Sequence, residues 1–210
     1  MTVKTHIAHA VTITSLRIPS DDLPAFNEWN RGTLPNTRNC YAFVYNAYEP
    51  DTSQLALGQY QILIALPGYM GGNPCQSMTA EALCSSLQAD GLIAIPDTEE
   101  NNIKPLDGHY LVSAFVDPQR NNCHFYRRHE ESGLWYHKAG WYGPVTHNDK
   151  TGRIITNGRQ DGGIRSFDFA GYFWVPQKGL PLDIRVQPAE PNIPHRTPAL
   201  TGNNVSHAAL

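Results

Sequence analysis

Asn39-Cys40-Tyr41-Ala42-Phe43-Val44-Tyr45 is the stretch whose reading decides the fold. A Pro35-Asn36-Thr37 turn precedes it, and the residues that follow keep helical spacing. Cys40, Phe43, Val44, Ala47 and Tyr48 fall on one stripe, which predicts a buried helix with Cys40 in its first turn. A first turn carries unpaired backbone N–H groups and the positive end of the helix dipole. Both favour a thiolate over a thiol, so Cys40 is a candidate nucleophile. The competing reading is a small buried core residue, the usual fate of a free cysteine.

Composition bounds what the rest of the chain can be. The 210 residues suit one domain with a sizeable core, or one domain with appendages. Gly 17 and Pro 16 predict many turns and long loops. A net charge of −3 and a pI near 6.3 give no basic footprint for nucleic acid, and no Lys/Arg run argues for a membrane surface. No segment approaches the roughly 20 apolar residues of a transmembrane helix. The N-terminus has no clean apolar core followed by a cleavage site, which predicts synthesis in the cytosol; export that reads no cleavable signal stays open. The cysteines Cys40, Cys75, Cys84 and Cys123 match no usual zinc spacing and are expected as four thiols.

Three regions follow from the pattern. Residues 1–30 read as a lead-in with an alternating Val11–Ile18 strand and a short helix from Asp21 through Trp29. Residues 31–180 form the domain: the Cys40 helix, an apolar run Gln61–Leu66, a Gly/Pro loop Pro67–Pro74, and a second helix capped by Thr79 and closed by Gly91. Antiparallel strands are then expected at Tyr110–Val116, Cys123–Arg128, Leu134–Lys138, Arg153–Thr156 and Phe169–Val175, an α+β order. Residues 181–210 read as a Pro-rich polar tail, extended or poorly ordered.

Chemistry converges on the hairpin. If Glu130–Gly133 is a four-residue loop, His129 faces Leu134 and His124 faces Ala139. His137 is then diagonal to His124 on the same face, roughly 7–8 Å away at the backbone. Thiol hydrolysis needs a nucleophile, a base and a group that orients the base. Cys40, His124 and His137 supply that set. Asp149, Asn148 and His147 are alternative third members, and Asn39 is a candidate oxyanion donor beside the Cys40 N–H. A zinc site through Cys123 and His124 is disfavoured, because neighbours on a strand point to opposite faces. No metal or cofactor is therefore expected. Trp135, Tyr136, Trp141 and Tyr142 either line a cleft or pack the core. His109, His129, His195 and His207 have no partner that spacing identifies.

In order and rough spacing, these residues resemble the papain-like cysteine hydrolase superfamily, over about residues 35–176. The pattern is most like the NlpC-type and CHAP-type amidases, whose orienting residue lies on the strand after the histidine. Papain-like bacterial effectors are also similar. The resemblance implies a nucleophile helix packed on an antiparallel sheet and a thiol amidase or peptidase. Its substrate would be a peptide, a peptidoglycan peptide or a protein glutamine, the last making it a deamidase. An inert papain-like binding module, with the Trp135–Tyr142 segment as recognition surface, is the alternative from a different class.

Overall fold

The computed structural model describes residues 10–13, 26, 29–30, 39–45, 61–96, 102–140, 143–159, 167–177 and 182–188. In chain order the elements are β1 (Ala10–Ile13), α1 (Cys40–Val44), β2 (Gln61–Ala65), α2 (Ala80–Ala89), β3 (Ile93–Ala94), β4 (His109–Asp117), β5 (Asn122–Arg128), β6 (Trp135–Lys138), β7 (Val145–Thr146), β8 (Asp168–Pro176) and β9 (Leu182–Pro188). The chain is α+β, and every strand pair among the described residues is antiparallel. One sheet has the order β3-β8-β4-β5-β6-β7 and a second the order β1-β9-β2.

β4 is apolar on both faces because both faces are covered. Tyr110, Val112, Ala114 and Val116 share a cluster with α1, Leu83 and Leu87 of α2, Phe125 and Phe173. Leu111 and Phe115 share the opposite cluster with Tyr126, Trp135, Ile155, Tyr172 and Trp174. The alternation of a strand thus assigns every residue of β4, β5 and β6 to the helix face or the far face.

Local signals explain the second helix. The Thr79 side chain accepts from Ala82 N at 3.2 Å, and Glu81 adds a favourable charge in the first turn. Gly91 turns left-handed at φ 99, and Leu92 N returns to Leu87 O at 3.0 Å. Asp90, the C-cap, is buried. Its carboxylate accepts from Tyr41 Oη at 2.7 Å, Gly68 N at 2.6 Å and Gly71 N at 2.7 Å. The Pro67–Pro74 segment, expected as an open loop, is folded onto this carboxylate. Gly68 admits no side chain there: a Cβ would lie 1.8 Å from Asn73 O.

Two of the three expected regions are redrawn. Leu182–Pro188 is no polar tail but the central strand between β1 and β2. Its sequence alternates Leu182, Ile184 and Val186 with Asp183, Arg185 and Gln187, the period of a strand, and the surrounding prolines obscure that period. The lead-in is not separate either, since β1 pairs with β9 and Phe26 and Trp29 are core residues. Phe26 stacks on Tyr136 at 4.2 Å, and the buried Arg127 guanidinium lies between the Phe26 and Tyr110 rings. Asn30 pairs its amide with both Val145 backbone groups. The expected Arg153–Thr156 strand is only the bridge Asn148–Ile154. Ala47 and Tyr48 lie outside the described residues, as does chain beyond 188. No helix among the described residues is long and apolar enough to cross a membrane.

Two outcomes are expected in denaturation experiments. Asp90→Ala orphans three donors and should cost about 3 kcal/mol or more, read as a lower urea midpoint; Asp90→Asn should cost less. Removing the chain from Leu182 onward should lower the melting temperature markedly, because β1 and β2 lose their shared partner. An unchanged midpoint in either variant contradicts the packing described.

Candidate functional site

Cys40 stands at the start of α1, and Asn39 fixes that start. Asn39 Oδ1 accepts from Ala42 N at 3.1 Å and from Ala65 N at 3.3 Å, while its Nδ2 donates to Ala65 O at 2.6 Å. The residue caps α1 and ties it to the end of β2. With its oxygen committed twice and its amide bound to a carbonyl, Asn39 serves as a cap in this structure rather than as an oxyanion donor. The Cys40 and Tyr41 N–H groups, in contrast, both favour the ionised form of the Cys40 thiol.

The thiol's partner follows from the hairpin register. β5 and β6 pair Tyr126 with His137 and Arg128 with Trp135, and His129 N donates to Leu134 O at 2.8 Å. The register is therefore that of the four-residue loop. It also means that His129, Arg127, Phe125 and Cys123 aim their backbone groups toward β6. β6 ends at Lys138, so the Cys123 carbonyl meets no strand. The Cys40 thiol donates to it, at 3.9 Å.

That contact corrects the expected pairing. The structure brings Cys40 to the peptide that enters His124, but the thiol makes no hydrogen bond to the imidazole among the described residues. Cys123 belongs to the helix-face cluster, and His124 leaves the strand on the far face beside Tyr126 and Phe167.

His124 and His137 do meet. His124 Nε2 lies 3.0 Å from His137 Nδ1, and His137 Nε2 lies 3.0 Å from the Asn148 carbonyl oxygen. A carbonyl only accepts, so His137 Nε2 carries the hydrogen and its Nδ1 is bare. His124 Nε2 must then donate, and His124 Nδ1 is left with its lone pair. Asn148 takes part through its backbone, not its side chain. Asp149 is not a third member: its Oδ1 accepts from Thr151 N, Thr151 Oγ1 and Arg153 N, closing a turn. Its charge reaches His137 without contact. His147 packs on Tyr136 instead of on His124.

Burial works against the thiolate that the first-turn position favours. Burial pushes the Cys40 thiol up to about 11, against the Lys138 ammonium and the first-turn N–H groups. Burial, with His137 beside it, pushes His124 down to about 3. Burial also lowers His137, opposed by the Asn148 carbonyl. Thiol and imidazole are both neutral at rest. α1 has only five residues, so its dipole is small, and loss of water outweighs it.

The remaining assignments are quickly placed. Trp135 and Tyr136 are buried core rather than cleft wall or recognition surface; the Trp135 indole packs so closely on Gly158 that a Cβ there would lie 2.4 Å away. Trp141, Tyr142, His195 and His207 lie outside the described residues. His109 Nδ1 bonds Asp107 O, and His129 is buried with its Nδ1 on Ser132. All four cysteines are free thiols. No group of three or more metal-ligand side chains converges among the described residues. Sequence reading missed Lys138, which is fully buried on the helix face; its position one residue after His137 placed it on that face, but not its burial.

Comparison with protein-family models, with characterised proteins and with solved structures finds no match.

The histidine pair carries a pH signature. The unfolded chain protonates both rings at ordinary histidine values, while the fold holds His124 near 3 and His137 below its usual range. Stability from this source is complete above about pH 6.5 and is lost, on the order of a few kcal/mol, as pH falls toward about 3. Urea midpoints should therefore fall in that window for the wild type and fall less for His124→Gln. Parallel curves contradict the assignment.

Proposed function

We propose that the chain is a cysteine hydrolase of papain-like architecture, cleaving an amide bond with Cys40 as nucleophile, His124 as base and His137 as orienting group. The observation that supports it is the hydrogen-bond chain from His124 through His137 to the Asn148 carbonyl. It holds the base in the one neutral form that presents a bare Nδ1, one residue from the carbonyl that holds the Cys40 thiol.

The reaction starts from neutral partners. The thiol lies on the helix face and His124 on the far face, so when substrate binds the proton passes around the open end of β5 to Nδ1 through a bridging water. Sγ attacks the amide carbon while its proton passes to Nδ1. The Cys40 N–H, at the start of α1, faces the oxygen that gains charge. The C–N bond breaks, the leaving amine takes the proton from His124, and a thioester remains. Water, losing a proton to the same nitrogen, releases the acid and the thiol. A peptide, a peptidoglycan peptide and a protein glutamine fit this chemistry alike; with glutamine the leaving group is ammonia.

One observation favours the other reading, a binding module with inert Cys40: the thiol is buried and hard to ionise. Turnover separates the two. Peptidoglycan stem peptides and glutamine-bearing proteins are incubated with wild type, Cys40→Ser, His124→Ala and His137→Ala, and released amine or ammonia is followed. Cys40→Ser should abolish release, His124→Ala should lower it by roughly 10²-fold or more, and His137→Ala by about tenfold. Cleavage that survives Cys40→Ser would overturn the proposal.

A further inference from the structure

Lys138 closes β6 on the face that carries α1. Val145, its partner on β7, belongs to the same core cluster as Cys40, Cys123 and Phe125. Lys138 is 0% exposed. Its Nζ donates to Gly143 O at 2.8 Å and to Gly140 O at 3.3 Å. Gly143 packs so closely on Ala139 that a Cβ on it would lie 2.7 Å from that residue. An ammonium is thus fixed where β6 ends, which is where the Cys123 carbonyl is released to hold the Cys40 thiol. Burying a lysine there is costly unless its charge is used or fully bonded.

We propose that Lys138 is a positioning residue for Cys40: its buried ammonium, set by the Gly140 and Gly143 carbonyls, stabilises the negative charge that the sulfur develops. This rests on the hydrolase reading for its purpose but not for its test. It divides the labour at the site. His124, on the far face, takes the proton; Lys138, on the helix face, answers the charge left behind. The ammonium acts on the thiol through space, opposing the effect of burial at Cys40.

Among the described residues the other titratable groups around α1 do not supply this cation: Arg127, the other buried cation on this face, lies against the Phe26 and Tyr110 rings and is not among the influences on the Cys40 thiol. Cys123 from β5 and Cys75 from the segment before α2 couple to one another, and Cys123 also couples to Cys40, as further thiols. Asp90 and Tyr45 are bonded to Tyr41 and are acids. His124 is held neutral by burial.

The test is alkylation of Cys40 by iodoacetamide against pH in the full chain, with the site read by peptide mass spectrometry. Lys138→Gln keeps a donor for the glycine carbonyls but removes the charge. It should slow Cys40 modification about tenfold or more at fixed pH and move the profile alkaline, one pKa unit being tenfold. Lys138→Arg should stay within about threefold of wild type, since it keeps the charge. Identical profiles in wild type and Lys138→Gln overturn the proposal. Should Lys138→Gln fail to fold, lysine-selective ¹³Cε spectra of the wild type decide it. One lysine resonance, assigned through Lys138→Arg, should titrate with Cys40 and stop doing so in Cys40→Ser; a Lys138 resonance blind to Cys40 overturns it. If no amide is cleaved yet alkylation depends on Lys138, the pair stands and the hydrolase reading falls. If amides are cleaved and alkylation ignores Lys138, the reverse holds.

Discussion

The Asp90 carboxylate sits at the C-terminal end of α2, where the helix dipole opposes a negative charge. Three short hydrogen bonds hold it there, from Tyr41 in α1 and from the Gly68 and Gly71 amides. One buried carboxylate therefore joins α1, α2 and the segment between β2 and α2. α1 is too short to keep its own position. Asp90 fixes it through Tyr41, and Asn39 fixes it through Ala65. The Tyr110 hydroxyl adds a third tie, donating to the Val44 carbonyl at the far end of α1. The place of the Cys40 sulfur is a consequence of these ties.

The sheet supplies the other half of the geometry by stopping short. β6 ends at Lys138, and the vacant edge of β5 is what the thiol occupies. The same ending buries the lysine and frees the chain to curl back to β7, where His147 and Asn148 follow. Asn148 then offers its carbonyl to His137. Thiol, base and ammonium are arranged around a single strand terminus, the first and last on the helix face and the base on the other. Burial disfavours the charged form of both ionisable partners of the proposed reaction, which would therefore draw on the substrate's arrival rather than on a preformed ion pair.

How much of this could be read beforehand depended on how local the governing physics was. Thr79, Glu81 and Gly91 marked α2 because capping acts within one turn. The His124–His137 diagonal was legible because loop length alone sets the parity of a hairpin. β9 was hidden because prolines nearby outweighed the alternation of Leu182, Ile184 and Val186. The ionisation of Cys40 departs from the local expectation for a different reason. The dipole argument is local, whereas desolvation depends on which segments cover the thiol. Lys138 and the Asn148 backbone carbonyl were invisible for the same cause, since burial and backbone direction belong to the folded chain.

The central claim is that the Asn148 carbonyl, acting through His137, fixes the tautomer of His124. Imidazole ¹⁵N shifts of the histidine-labelled protein at neutral pH test it most directly, with His124→Gln and His137→Gln for assignment. Both rings should appear neutral, each with a protonated Nε2 and a bare Nδ1, and His124 should lose that preference when His137 is replaced. An imidazolium at His124, or a hydrogen on its Nδ1, would contradict the account.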